Sequence, residues 1–170
     1  EVSGDTCQTT DGGYAIVGST TSFGAGGQDF YLVKTDTNGN MLWNKTYGGT
    51  AHEWGASVVQ TADGGYAIAG TTQSYGAGGT DVYLIKTDAT GNMQWNRTYG
   101  GMFEEEAYSV QQTGDGGYMV AGSTKSYGLY TGVWNYWLVK ADASGNREWD
   151  QVNGGSSDDR AYSAQQTNDG

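Results

Sequence analysis

Carboxylates return at one place in this chain. Glu1, Glu53, Glu105 and Asp159 stand at equivalent points of a repeating sequence, with Glu104, Glu106 and Asp158 beside them. Hard oxygen ligands gathered from several segments are what calcium takes, and like charges held close favour a bound cation. A Ca2+ site made by Glu53, Glu105 and Asp159 is the metal chemistry these positions suggest, with a solvated acidic rim as the alternative. Aromatic side chains form a second group. Tyr130 and Trp134 lie in a segment two residues longer than its equivalents, and Tyr75 lies in a glycine-rich loop. Exposed rings of this kind stack on sugars or anchor a partner.

Other chemistry is thin. His52 is the only histidine and has no HExxH context, so a triad or a His-based metal site lacks its second member. Cys7 is the only cysteine, which excludes an intrachain disulfide and a Cys-based zinc site and leaves a small side chain in a strand. The GAGG loops lack the GxGxxG spacing and the helix of a dinucleotide fold. No carboxylate differs from its repeat equivalents as a dedicated glycosidase acid would. No catalytic residue and no cofactor beyond calcium is therefore assigned, and the chain reads as a non-enzyme. With 8 Lys+Arg against 19 Asp+Glu the net charge is −11, which disfavours nucleic acid and anionic membranes and favours cations or a basic partner. No apolar run is long enough to span a bilayer, and no signal-peptide pattern is present.

The elements that must position these groups follow from the repeat. Asp11 to Asp63 is 52 positions, Asp63 to Asp115 is 52 and Asp115 to Asp169 is 54, giving units at about 1–52, 53–104 and 105–158 and a partial fourth at 159–170 in one domain. Within the second unit, four strands are expected at 56–61, 66–71, 81–86 and 93–99. Asp63-Gly64 predicts a type I′ hairpin, and Ser74-Tyr75-Gly76-Ala77-Gly78-Gly79 predicts an irregular loop. Asp36-Thr37-Asn38-Gly39-Asn40 reads as a polar turn rather than an EF-hand loop, because no acid stands at its twelfth position. In Val82-Tyr83-Leu84-Ile85 both alternating faces are apolar, so each small sheet needs an equivalent sheet in front and behind. An all-β propeller of four-stranded antiparallel blades meets that need better than a solenoid does. This chain would supply three blades and a surplus inner strand.

The segment from Lys86 through Asp88, Gly91, Asn92 and Trp95 to Gly100-Gly101 resembles the tryptophan-docking motif of quinoprotein-like propellers. That resemblance implies that Trp43, Trp95 and Trp149 dock against the neighbouring blade. The turn from the Asp to the Gly is one residue shorter than in that family. The whole repeat, from SVxQTxDGGY to TYGG, resembles propeller repeats of secreted and cell-surface proteins of archaea and bacteria, which implies an extracellular or surface location. Asn44 and Asn96 head sequons on the expected outer strands, positions suited to N-glycosylation. The chain starts and stops inside a repeat, so it is expected to be a piece of a longer protein or to complete a ring by homo-oligomerisation. The leading functional expectation is a non-catalytic module for adhesion, scaffolding or protein recognition, with a protein or glycan partner. A carbohydrate-binding propeller is the alternative, and a propeller hydrolase the third.

Overall fold

The computed structural model describes residues 4–167. These form an all-β structure of three four-stranded antiparallel sheets, without a helix among the described residues. The first sheet holds β1 (Asp5–Gln8), β2 (Tyr14–Thr20), β3 (Asp29–Thr35) and β4 (Met41–Tyr47). The second holds β5 (Glu53–Gln60), β6 (Tyr66–Thr72), β7 (Asp81–Thr87) and β8 (Met93–Tyr99). The third holds β9 (Glu105–Gln112), β10 (Tyr118–Thr124), β11 (Asn135–Ala141) and β12 (Arg147–Asn153). Strand order within each sheet follows chain order, and the first strands β1, β5 and β9 approach the neighbouring sheets.

Alternation along the third strand of each sheet divides the core. All seven residues of β7 are buried. Val82 and Leu84 join Tyr118, Val120, Trp137 and Val139 in the cluster between the second and third sheets. Tyr83 and Ile85 join Phe30, Leu32, Tyr66 and Ile68 in the cluster between the first and second. One strand thus feeds two cores, which is why its sequence is apolar at consecutive positions.

The hairpin between the first two strands differs from the expected type I′. Only glycine has positive φ in the described chain, and here it is Gly64 alone, at +81°. The Thr61 carbonyl accepts from Gly64 N–H at 2.8 Å and Thr61 N–H donates to the Gly65 carbonyl at 2.9 Å. This is a three-residue loop, a type I turn followed by a left-handed glycine in a bulge. Asp63 stays right-handed because its carboxylate has work on that side: it accepts from Gly65 N–H at 3.0 Å and from the Lys86 ammonium at 2.8 Å. Lys34, Lys86 and Lys140 are buried on the third strands, and each pairs with the turn aspartate of its own unit. The DGG turn and the YLxK strand are therefore one interaction. Hydrogen bonds from the Thr9 hydroxyl and then the Lys34 ammonium hold the Asp11 carboxyl well below the usual range, and Thr113 and Lys140 do the same to Asp115.

β5 begins at Glu53, three residues before the expected start. Its pairing with β6 slips between Gly55 and Ser57, and Glu53, Trp54 and Gly55 continue opposite Thr72, Thr71 and Gly70. A side chain at Gly70 would collide with the Trp54 carbonyl oxygen, so the bulge and the strand glycine require each other.

Gly116 tests the turn by itself. Its φ is +85° and nothing lies within 4 Å of an added Cβ, so Gly116→Ala meets backbone strain alone. We expect a loss of about 1 kcal/mol in urea unfolding, and an unchanged midpoint would rule out the left-handed turn.

Candidate functional site

The repeated carboxylates occupy the seams between sheets. Glu53 and Glu105 are both fully buried. Glu53 Oε1 accepts from the Thr72 hydroxyl at 2.8 Å and Ser74 N–H at 3.2 Å, while Oε2 accepts from Gly49 N–H at 2.8 Å. Glu105 repeats this with Thr124 at 2.7 Å, Ser126 at 3.1 Å and Gly101 at 2.6 Å. Asp159 Oδ2 likewise accepts from Gly155 N–H at 2.7 Å. Glu53 and Glu105 each tie the Gly-Gly that closes one sheet to the strand that opens the next.

The expected gathering of Glu53, Glu105 and Asp159 around one cation is not what this arrangement builds. Hydroxyl and main-chain N–H donors satisfy the Glu53 and Glu105 oxygens in separate seams, which offsets the cost of burying them. Among the described residues no group of three or more metal-ligating side chains comes together. Glu1 lies outside the described residues.

A second acid meets the first in two seams. Asp29 and Asp81 are buried at the starts of β3 and β7. A Cβ on Gly48 would stand 1.9 Å from Asp29 Oδ1 and 2.4 Å from Glu53 Oε2; on Gly100 it would stand 1.8 Å from Asp81 Oδ1 and 2.6 Å from Glu105 Oε2. The two oxygens of each pair can be no farther apart than the sum of those distances, and only glycine fits beside them. Asp29 Oδ1 has no hydrogen-bond partner. Burial, then the Glu105 charge, pushes the Asp81 carboxyl up to about 6. The third sheet carries Asn135 at this position, and its amide donates to the Val133 carbonyl at 3.0 Å.

Tryptophan crosses the same seams. The Trp43 ring lies 5.8 Å from Tyr66 at 68°, and Trp95 lies 5.5 Å from Tyr118 at 72°. Trp43 also covers Gly91 and Trp95 covers Gly145, where an added Cβ would stand 2.7 Å from the ring. Tyr47 and Tyr99 donate to the carbonyls of those two glycines at 2.7 Å. Trp149, the third of the series, is 42% exposed.

The aromatic candidates separate. Tyr75 donates to the Gly48 carbonyl at 3.0 Å and packs on Tyr83, so it braces a seam. Trp134 is not an addition to the loop. It precedes Asn135 as Gln28 precedes Asp29 and Thr80 precedes Asp81, and its carbonyl accepts from Asp159 N–H as theirs accept from Glu53 and Glu105 N–H. Its buried ring lies 4.7 Å from Lys125 Nζ and 4.2 Å from the Arg160 guanidinium, so it is engaged by cations of the chain itself. Tyr130, by contrast, is 53% exposed at the loop tip. Asn44 and Asn96 are exposed on β4 and β8.

A concavity of about 640 Å³ opens between the first strands of the second and third sheets and was not anticipated from the sequence. Trp54, Glu104, Glu106 and Tyr108 line it with Gln28 and Thr80. Trp54 Nε1 donates to Gln28 Oε1 at 2.6 Å, and the ring stacks on exposed His52 at 5.7 Å. Glu106 accepts from the Tyr108 hydroxyl and from Arg160 at 2.6 Å, and Arg160 also donates to the Tyr108 oxygen at 2.6 Å. Glu104 pairs with Lys125 at 3.3 Å. A signal for this site existed in the repeat. Trp54, Glu106 and Arg160 are equivalent positions, as are Ala56, Tyr108 and Tyr162, and they differ sharply where the seam residues around them do not.

No protein-family model matches the chain. The regulatory protein FlaEY of Caulobacter vibrioides is 30% identical over 114 residues, covering 59% of this chain and 12% of that protein. The chain thus spans about an eighth of that relative. A Bacteroides caccae protein of unknown function, known from its crystal structure, superposes with a TM-score of 0.53 at 11% identity, over 89% of this chain and 46% of that one. This likeness is one of fold.

The seam yields two tests. Gly100→Ala drives a methyl into Asp81 and Glu105, and we expect a loss of about 3 kcal/mol in chemical unfolding, well beyond a substitution meeting backbone strain alone. The second concerns pH. The Asp81 contribution is fully present below its unfolded value of 3.8 and is lost as pH rises through about 6; that of Asp63, held at about 2 despite burial by Lys86 and Thr61, is present above 3.8 and lost as pH falls through about 2. The melting temperature should therefore rise on acidification from about pH 7 to about pH 5 and fall below about pH 3. Asp81→Asn should flatten the upper arm, and an upper arm of unchanged slope in that variant would refute the assignment.

Proposed function

We propose that the chain is a non-catalytic recognition module, a segment of a β-propeller whose inner-strand concavity binds a protein partner through Lys or Arg side chains. One observation carries the reading. In a repeat whose turns, seams and core recur, the positions of Trp54 and Ala56 become Glu106 and Tyr108 in the next unit, and these line the concavity. Positions that serve the frame are held alike by the frame, whereas a surface that selects a ligand has no reason to repeat.

The chemistry of that surface favours a cation. Two carboxylates, a tryptophan face and a tyrosine hydroxyl offer charge-assisted hydrogen bonds and cation–π contact. Arg160 shows how a guanidinium is held there, by Glu106, Tyr108 and the Trp134 face. The net charge of −11 would speed association with a basic segment. The likeness of the repeat to surface-protein propellers supports an extracellular or cell-surface setting, and the successive sheets with inner strands in mutual contact support the propeller.

Trp54 reports on the site. Titration with an Arg- and Lys-containing peptide should change tryptophan emission, with an affinity that weakens as salt rises and falls at least tenfold in Glu104→Gln/Glu106→Gln. An equal response to an acidic peptide would sink the proposal. A salt-independent response to neutral glycans would instead favour the lectin reading.

A further inference from the structure

The two carboxylates that line the concavity are already matched by cations of the chain itself. Glu104 Oε2 lies 3.3 Å from Lys125 Nζ, and Glu106 Oε2 lies 2.6 Å from Arg160 Nη1. The same two cations converge on one ring, with Lys125 Nζ 4.7 Å and the Arg160 guanidinium 4.2 Å from the Trp134 centroid. Arg160 also donates to the oxygen of Tyr108, a third polar group of the concavity. Carboxylates and a tyrosine oxygen are what a basic ligand would seek there, and each is engaged from within.

The frame does not require this arrangement. Lys125, Trp134 and Arg160 stand where the second unit has Gln73, Thr80 and Glu106, and where the first has Thr21, Gln28 and Trp54. The main-chain bonds at those positions recur all the same. Glu53, Glu105 and Asp159 N–H donate to the Gln28, Thr80 and Trp134 carbonyls, and Gln73 and Lys125 N–H donate to the His52 and Glu104 carbonyls. The backbone therefore places the three side chains and leaves their chemistry free. Two cations and the indole that gathers them come together in one unit, beside the carboxylates of the concavity.

Neither pair is sealed from water. The Lys125 and Glu104 side chains are 25% and 47% exposed, and those of Arg160 and Glu106 are 28% and 35% exposed. Water screens such pairs, and long side chains lose freedom in holding them, so they are weak. We propose that Lys125 and Arg160 are built-in occupants that a basic partner must displace from Glu104 and Glu106, which presupposes that the concavity recognises such a partner at all. An incoming arginine reproduces the bonds that Arg160 makes to Glu106 and Tyr108, and Trp54 offers it the kind of ring that Trp134 offers Arg160. Affinity for a surface is reduced by the fraction of molecules in which that surface is open. The self-contact thus sets a threshold: a segment with one isolated cation is refused, and one with several close together enters.

Calorimetric titration of the 170-residue chain with an Arg- and Lys-containing peptide tests this. Lys125→Gln/Arg160→Gln, with the far-ultraviolet circular dichroism of the parent, should bind the peptide about tenfold more tightly, as expected if the parent surface is open about a tenth of the time. Its affinity should also fall more steeply as salt rises. That variant loses two positive charges. Lys45→Gln/Arg97→Gln loses the same two from β4 and β8, and its affinity should stay within about twofold of the parent. Lys125→Gln alone installs the residue type that the second unit carries as Gln73, so it keeps a test in hand if the double variant does not fold, and it should tighten binding about threefold. A parent that binds, with folded Lys125 and Arg160 variants that bind no more tightly, overturns the displacement and leaves recognition standing. An equal gain in the Lys45 and Arg97 variant overturns it too. If neither the parent nor these variants bind the peptide, recognition of a basic partner fails and the displacement falls with it.

Discussion

A glutamate buried between sheets organises this protein. Glu53 and Glu105 sit in the seams with every oxygen engaged, because a buried polar group without hydrogen bonds costs several kcal/mol. The requirement propagates outward. Donors must come from both sides, so the preceding sheet ends in a Gly-Gly whose second N–H points across, and the following sheet places a Thr hydroxyl and a Ser N–H opposite. The first glycine must lack a side chain, since the carboxylates stand where its Cβ would be. The fixed interval from Gly49 to Glu53, from Gly101 to Glu105 and from Gly155 to Asp159 is the covalent trace of that hydrogen bond.

Much of this was legible in the residues. The 52-residue period, the four strands per unit and the two-faced third strand all follow from pattern, because periodicity records which side of a strand is buried. Register and turn geometry were less accessible. Asp-Gly suggests two left-handed residues, yet Asp63 is held right-handed by Lys86, a partner 23 positions away. The inner strand starts at Glu53 because a bulge against Gly70 lets pairing continue past Gly55, and a glycine inside a strand was the available hint. The acids misled for a physical reason. A row of aligned carboxylates reads as a cation site or an acidic rim only while solvent is assumed, and composition does not show that Thr72 and Ser74 have enclosed Glu53.

The frame and the proposed binding surface use different parts of each unit. Core, turn and seam residues recur because each answers a contact made again in the next unit: Trp43 and Trp95 across from Tyr66 and Tyr118, Tyr47 and Tyr99 reaching to glycine carbonyls. The inner-strand side chains facing the concavity meet no such counterpart, so tryptophan, glutamate and arginine can follow one another at one position. Trp134 shows the intermediate case. It occupies a frame position in the third sheet, but its ring has become a platform for Lys125 and Arg160.

Asn135 has a consequence of its own. The first two seams each bring two acids beside one glycine, whereas the third sheet sets the Asn135 amide beside Gly154. Units copied from one template have thereby become unequal springs. Acidity stiffens the joint that holds Asp81, whose carboxyl burial and the Glu105 charge push up, so the strength of that joint is set by the medium as well as by the sequence.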